Sequence, residues 1–223
     1  MLLCSSAQAE DWSVAAGWSS DYRVRGVSMS NRHPSATLDL SYRGDTGWGA
    51  GWGLAALDKD ADGRRVLLNA SLSRGWQIDP DWSTELGLAH AYYPGSTHRR
   101  AYNADEVSAT VAWRGRLTAS LMASPNTTAW DVYGKPHRGW AGSAELSLRQ
   151  RLTGPVALDL GLGYFELRAD GSRGYPYGNI GLAATMGSMQ AYLSFIGSRA
   201  RQNALASGDR AGSGWVASLL WTF

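Results

Sequence analysis

The sequence holds one cysteine, Cys4, so no disulfide can form within the chain. Lysine is almost missing, with Lys59 and Lys135 the only two. A net charge of +2 at neutral pH excludes the dense basic surface of a nucleic-acid-binding protein, and no nucleic-acid partner is expected. No run of about 18 apolar residues occurs, which excludes a spanning helix. No segment of useful length carries a helical period either. The mean hydropathy of -0.27 looks soluble. A membrane barrel looks the same on average, because only half of each strand must be apolar.

What is abundant is glycine, 27 residues, and tryptophan, 11. The 223 residues suffice for one mid-sized barrel or one domain with a large core. Met1–Ala9 reads as the tail of a secretory signal peptide. Leu2 and Leu3 are what remains of an apolar core, and Ala7-Gln8-Ala9 is a small-x-small cleavage pattern before Glu10, although no basic region precedes them. The expected organisation is a leader remnant over 1–9 and one barrel over 10–223. A mature chain without cysteine suits an oxidising envelope compartment.

Period-two alternation marks twelve candidate strands: 11–22, 35–43, 47–57, 65–77, 82–93, 104–114, 116–124, 139–150, 155–167, 177–186, 189–199 and 213–223. A different register across 104–124 would make the count ten or fourteen. In the last segment Trp215, Ala217, Leu219, Trp221 and Phe223 share a face. A final strand of this kind, ending in Phe, is expected to close an outer-membrane barrel. Trp221 and Phe223 are then the signal offered to the barrel assembly machinery.

Connections alternate between short turns (44–47, 78–81, Gly115, 152–154, 187–188) and longer charged loops (23–34, 58–64, 94–103, 125–138, 168–176, 200–212). Trp12, Tyr42, Trp48, Trp76, Trp82, Trp113, Trp221 and Phe223 gather on the apolar phase near the short turns. Trp18, Tyr92, Trp140, Tyr164 and Trp215 gather near the long loops. Two aromatic belts are the mark of two membrane interfaces; Trp52, in mid-strand, falls outside them. A secreted carbohydrate-binding β-sandwich is the soluble alternative, but it would not sort aromatics to both ends of one face.

Ser20-Asp21-Tyr22-Arg23-Val24-Arg25-Gly26-Val27-Ser28, followed by Pro34 and a strand ending near Tyr42, resembles the opening signature of the TorF-type porin family, a set of outer-membrane conserved hypothetical proteins. Met122-Ala123-Ser124-Pro125-Asn126 resembles, more loosely, a strand-end segment of the same family. Val24 departs from it, standing where an aromatic is commoner. The resemblance implies an outer-membrane barrel and a pore, and supplies no substrate.

The phase opposite the apolar one carries Asp39, Arg43, Asn69, Glu85, Glu145, Arg149, Asp159 and Asn179 among many small residues. In a barrel these are the candidates to line the lumen, either as a polar channel or as an ion-paired plug. Arg23 and Arg25 are rim candidates at the first long loop. They would attract anions, or fold that loop inward by bonding backbone carbonyls. Gly26 after them suits a turn with positive φ. The long-loop side is richer in basic residues and the short-turn side in acids, so lipopolysaccharide phosphates and membrane lipid are expected partners. Asp58–Gly63 hints at a calcium loop but lacks the distal Glu, so no metal and no cofactor are expected.

An outer-membrane lipid hydrolase is the alternative from another class. It would need a Ser beside a His, and none of His33, His90, His98 and His137 has that setting in the sequence. The expectation is therefore a non-enzymatic, all-β, antiparallel up-and-down transmembrane barrel of about twelve strands. It would sit in the outer membrane of a Gram-negative bacterium and pass small polar solutes or ions. A non-conducting barrel with a structural or surface-binding role is the other non-enzymatic reading.

Overall fold

A computed structural model of the chain describes residues 11–57, 66–94, 103–130, 136–168, 174–200 and 212–223. The expected leader at 1–9 and the acidic loop at 58–63 lie outside these residues. The strands are β1 (Asp11–Ser19), β2 (Arg23–Val24), β3 (Val27–Ser28), β4 (Ser35–Arg43), β5 (Trp48–Ala56), β6 (Val66–Gln77) and β7 (Trp82–Tyr92). They continue with β8 (Ala104–Trp113), β9 (Leu117–Trp130), β10 (Pro136–Thr153), β11 (Val156–Arg168), β12 (Tyr175–Met186), β13 (Met189–Ser198) and β14 (Gly214–Thr222).

Twelve of these form a closed antiparallel barrel in simple up-and-down order, with β1 joining β4 on one side and β14 on the other. The chain is a transmembrane β-barrel. Closure leaves no strand edge unpaired, which is what a sheet in lipid requires. Every alternating segment of the sequence becomes a strand. Two differences stand out. β9 and β10 run on to Trp130 and start at Pro136, where a loop over 125–138 was expected. The loop after β1 contains a further two-stranded hairpin, β2–β3.

Register fixes which face is which. Leu146, Leu162 and Gly178 align across β10–β12, as do Leu160 and Ile180, and this phase is outward. The outward large residues are exposed, Leu162 to 72% and Trp12 to 62%. A soluble protein would not leave such a surface bare, but hydrocarbon accommodates it. Belt residues meet as pairs: Trp12 with Tyr42 at 5.1 Å and Phe195 with Trp215 at 5.5 Å between ring centroids. Arg74 lies on the outward phase near the short turns, with its guanidinium over both Trp48 (5.2 Å) and Trp76 (5.3 Å). That is how a cation sits at the membrane boundary.

The short turns are tight. Arg114 and Gly115 both have positive φ (50° and 60°), the type I′ geometry that matches strand twist. Asp79 Oδ1 accepts from the N–H groups of Asp81 and Trp82 at 2.8 Å each. Asp81 in turn receives a bidentate bond from Arg114 of the next turn, at 2.9 and 3.0 Å. That bond lowers the Asp81 carboxyl below its ordinary pKa.

Candidate functional site

The inner wall begins with small side chains. Gly49, Gly51 and Gly53 of β5 face inward beside Ser71 and Ser73 of β6. Asp39, Arg43, Asn69, Glu85, Glu145, Arg149, Asp159 and Asn179 all lie on this inward phase, at the register positions Asp39↔Gly53↔Asn69, Arg149↔Asp159 and Gly161↔Asn179 among others. The inner wall is not a packed core. Asp39, Asn69 and Glu145 point inward and are nevertheless exposed to solvent. Two ion pairs stand near the short-turn end. Arg43 bonds Glu85 at 3.1 Å across the two intervening strands, and Arg149 lies 3.6 Å from Asp159.

Tyr177 crosses a strand to bond Glu145, its hydroxyl donating to Oε2 at 3.0 Å. Gly163, between them in register, makes this possible. A Cβ there would come within 2.3 Å of the Tyr177 ring. The glycine lets the ring lie flat against the wall.

The long-loop end is different, because the β2–β3 hairpin folds into it. Arg25 (φ 50°) and Gly26 (φ 76°) form its two-residue turn. A Cβ on Gly26 would lie 2.8 Å from the Ser198 Cβ, so the turn is pressed against the wall of β12 and β13. The hairpin base is organised by Asp21. Ser28 Oγ donates to Asp21 Oδ1 at 2.6 Å, and Arg23 Nε donates to Oδ2 at 2.6 Å. Ser30 Oγ lies 3.2 Å from Asp21 Oδ1, accepts from the Tyr22 N–H (2.9 Å) and reaches the His33 carbonyl (2.7 Å). Asp21, Ser28 and Ser30 are buried, and the Asp21–Arg23 ion pair is almost wholly removed from solvent. A buried carboxylate survives only when matched in this way.

Arg23 also donates to the Gly212 carbonyl at 2.8 Å, next to β14. Arg25 reaches the opposite way. Its guanidinium bonds both oxygens of Glu106 on β8, at 3.0 and 2.9 Å, and lies 5.3 Å from the centre of the Phe165 ring. The two rim candidates are thus ends of one clamp, Arg23 at the seam and Arg25 across the lumen.

Apolar contacts complete the seating. Val27 packs with Ala141, Phe165, Leu167 and Tyr175 on one wall. Tyr22 and Met29 pack against Ala55, Leu57, Leu67 and Tyr93 on the other. Burial raises the Tyr22 hydroxyl above its ordinary pKa, and the nearby Asp39 adds to this. Alternation alone does not reveal Asp21, Glu106 and Tyr177. Glu106 was visible as a lone acid on the polar phase of its segment, and Asp21 as part of the opening signature.

His90 stands on the outward phase, its Nδ1 2.6 Å from Asp105 Oδ1, with Asn126 bonding the same carboxylate at 2.5 Å. Among the described residues no serine hydroxyl is bonded to this histidine–carboxylate pair. Among the described residues no group of three or more His, Cys, Asp or Glu is placed to hold a metal ion.

The sequence profile described as "Bacterial protein of unknown function (Gcw_chp)" matches residues 5–223. The chain belongs to the Gcw_chp family. Comparison with curated proteins gives no match. Among solved structures, this Gcw_chp barrel is similar to the NanC porin, with a TM-score of 0.65 and 10% identity, over 95% of this chain and 98% of that one. It is also similar to the KdgM porin (TM-score 0.57, 10% identity, 95% and 99% of the chains). The KdgM porin in complex with disordered oligogalacturonate gives a TM-score of 0.58 at 11% identity, again over 95% and 99%. At such identities the likeness is one of fold: the Gcw_chp chain has the architecture of porin barrels.

Proposed function

We propose that this Gcw_chp protein is an outer-membrane porin of a Gram-negative envelope, passing small polar solutes or ions by passive diffusion. The observation that carries the proposal is the inner wall: inward charged and amide side chains remain exposed inside a closed barrel whose outer face is apolar. The porin folds of its structural neighbours and the resemblance of residues 20–28 to TorF-type porins support the same reading. The outer-membrane lipid and lipopolysaccharide would surround the belts, and the barrel assembly machinery would insert the chain.

The seated hairpin favours a second reading, a barrel closed at its long-loop end that works through its outer surface. Single-channel recording of the refolded protein in a planar bilayer separates the two. Stable stepwise currents are expected. A barrel that shows heat-modifiable gel mobility, and so is folded, yet passes no current would establish the closed reading.

A further inference from the structure

The charges of the lumen and hairpin do not cancel evenly. Among the described residues, four arginines there each lie against an acid: Arg23 with Asp21, Arg25 with Glu106, Arg43 with Glu85 and Arg149 with Asp159. Arg116 and Arg151 share the inward phase but sit at exposed turn ends, before β9 and at the end of β10. Three inward acids remain outside this pairing among the described residues: Asp11, at the exposed turn end of β1 opposite Arg43 in register, and, farther along the lumen, Asp39 and Glu145. Neither of the latter two forms an ion pair among the described residues. Among the described residues Glu145 is bonded by the Tyr177 hydroxyl, a neutral donor that brings no opposite charge.

Their positions matter as much as their charge. β4 and β10 are six strands apart whichever way the closed ring is followed, so Asp39 and Glu145 stand on opposite walls. Both adjoin the hairpin. Tyr22 at its root lies near Asp39, and Tyr177 links Glu145 to the wall against which Gly26 is pressed. Both residues are exposed to solvent. A solute moving along the lumen passes between the two walls that carry them.

We propose that Asp39 and Glu145 are the selectivity-determining pair of this barrel and that its solutes are small hydrated cations. This rests on the porin reading and names its solute class. The physical basis is field focusing. A narrow aqueous path with low-dielectric walls concentrates the potential of unpaired charge, whereas paired charge contributes little beyond its own neighbourhood. At about 0.1 M salt the screening length is about 10 Å, comparable to half a small barrel's width, so both carboxylates act on the same ion. The basic outer rim would suggest anions, but the arginines at the hairpin are already neutralised.

The test is the reversal potential of the refolded protein in a planar bilayer under a KCl gradient. The intact barrel is expected to favour K+ over Cl- severalfold. Asp39→Asn and Glu145→Gln should each reduce that ratio, and the double variant should bring it close to one. Asp81→Asn, at an exposed turn outside the lumen, should leave it unchanged. Currents that favour Cl-, or a ratio indifferent to both single variants, would overturn the cation assignment while leaving the pore intact. A folded barrel without current overturns the porin reading itself, and the assignment with it.

Discussion

Asp21 shows how much one side chain can organise. It accepts from Ser28 and Arg23 with almost no water present. Asp21→Ala would strand the Arg23 charge and leave the Ser28 hydroxyl without its acceptor, and losing one partner of a buried pair costs about 3–5 kcal/mol. That exceeds what the apolar contact of Val27 alone can offset, about 1.5–3 kcal/mol for a full aliphatic side chain. The expected outcome is a released hairpin in an intact barrel. Limited trypsin digestion should then cut after Arg23 or Arg25 in the variant and spare the parent, while heat-modifiable mobility persists. A variant as resistant as the parent would mean that the apolar seating holds without Asp21.

At the scale of elements, the two ends of the hairpin are fastened unequally. The base is buried, whereas the Arg25–Glu106 pair is partly open to solvent, and such pairs are worth about 1 kcal/mol or less. Glu106→Gln should therefore loosen the tip and leave the base in place. In a conducting barrel this predicts larger or more frequently fluctuating single-channel currents at unchanged thermal stability. The short turns supply another test. Arg114 holds the Asp81 carboxyl below its ordinary pKa, so the stabilisation is present at neutral pH and is lost as pH falls through that lowered value. Arg114→Ala should show a flatter loss of stability in acid, read from thermal melts between neutral and strongly acidic buffer. The strands themselves were legible because lipid on one side and water on the other impose period two. Beyond the apolar band that pressure vanishes, so Thr127, Thr128, His137 and Arg138 give no alternation although they lie in β9 and β10. The hairpin escaped for a related reason. Its order comes from hydrogen bonds to Asp21 and from the Arg25–Gly26 turn, and residues of that kind are equally at home in an ordinary loop. The inward phase could be read residue by residue, but which arginine meets which acid depends on closure of the ring.

For the whole molecule, the two faces should answer oppositely to the same substitution. Leu162→Arg places a charge in the middle of the outward face and should cost about 2–4 kcal/mol. Ser147→Arg, on the inward phase next to Gly161 in register, should change unfolding far less. Urea titration of the protein in lipid vesicles compares them; equal costs would contradict the assigned faces. One further property follows from how the ring is sealed. β1 meets β14 only over Ala15–Ser19, whereas it meets β4 along its whole length, from Asp11 to Ser19. The seam is lengthened by the Ser20 N–H to the Ala217 carbonyl and the Phe223 N–H to the Val14 carbonyl, and Arg23 reaches the Gly212 carbonyl beside it. Under sideways tension the cylinder would split along this line first. The hairpin is its clasp, so a force that draws the hairpin outward also tugs on the join, and the mouth and the seam would yield together.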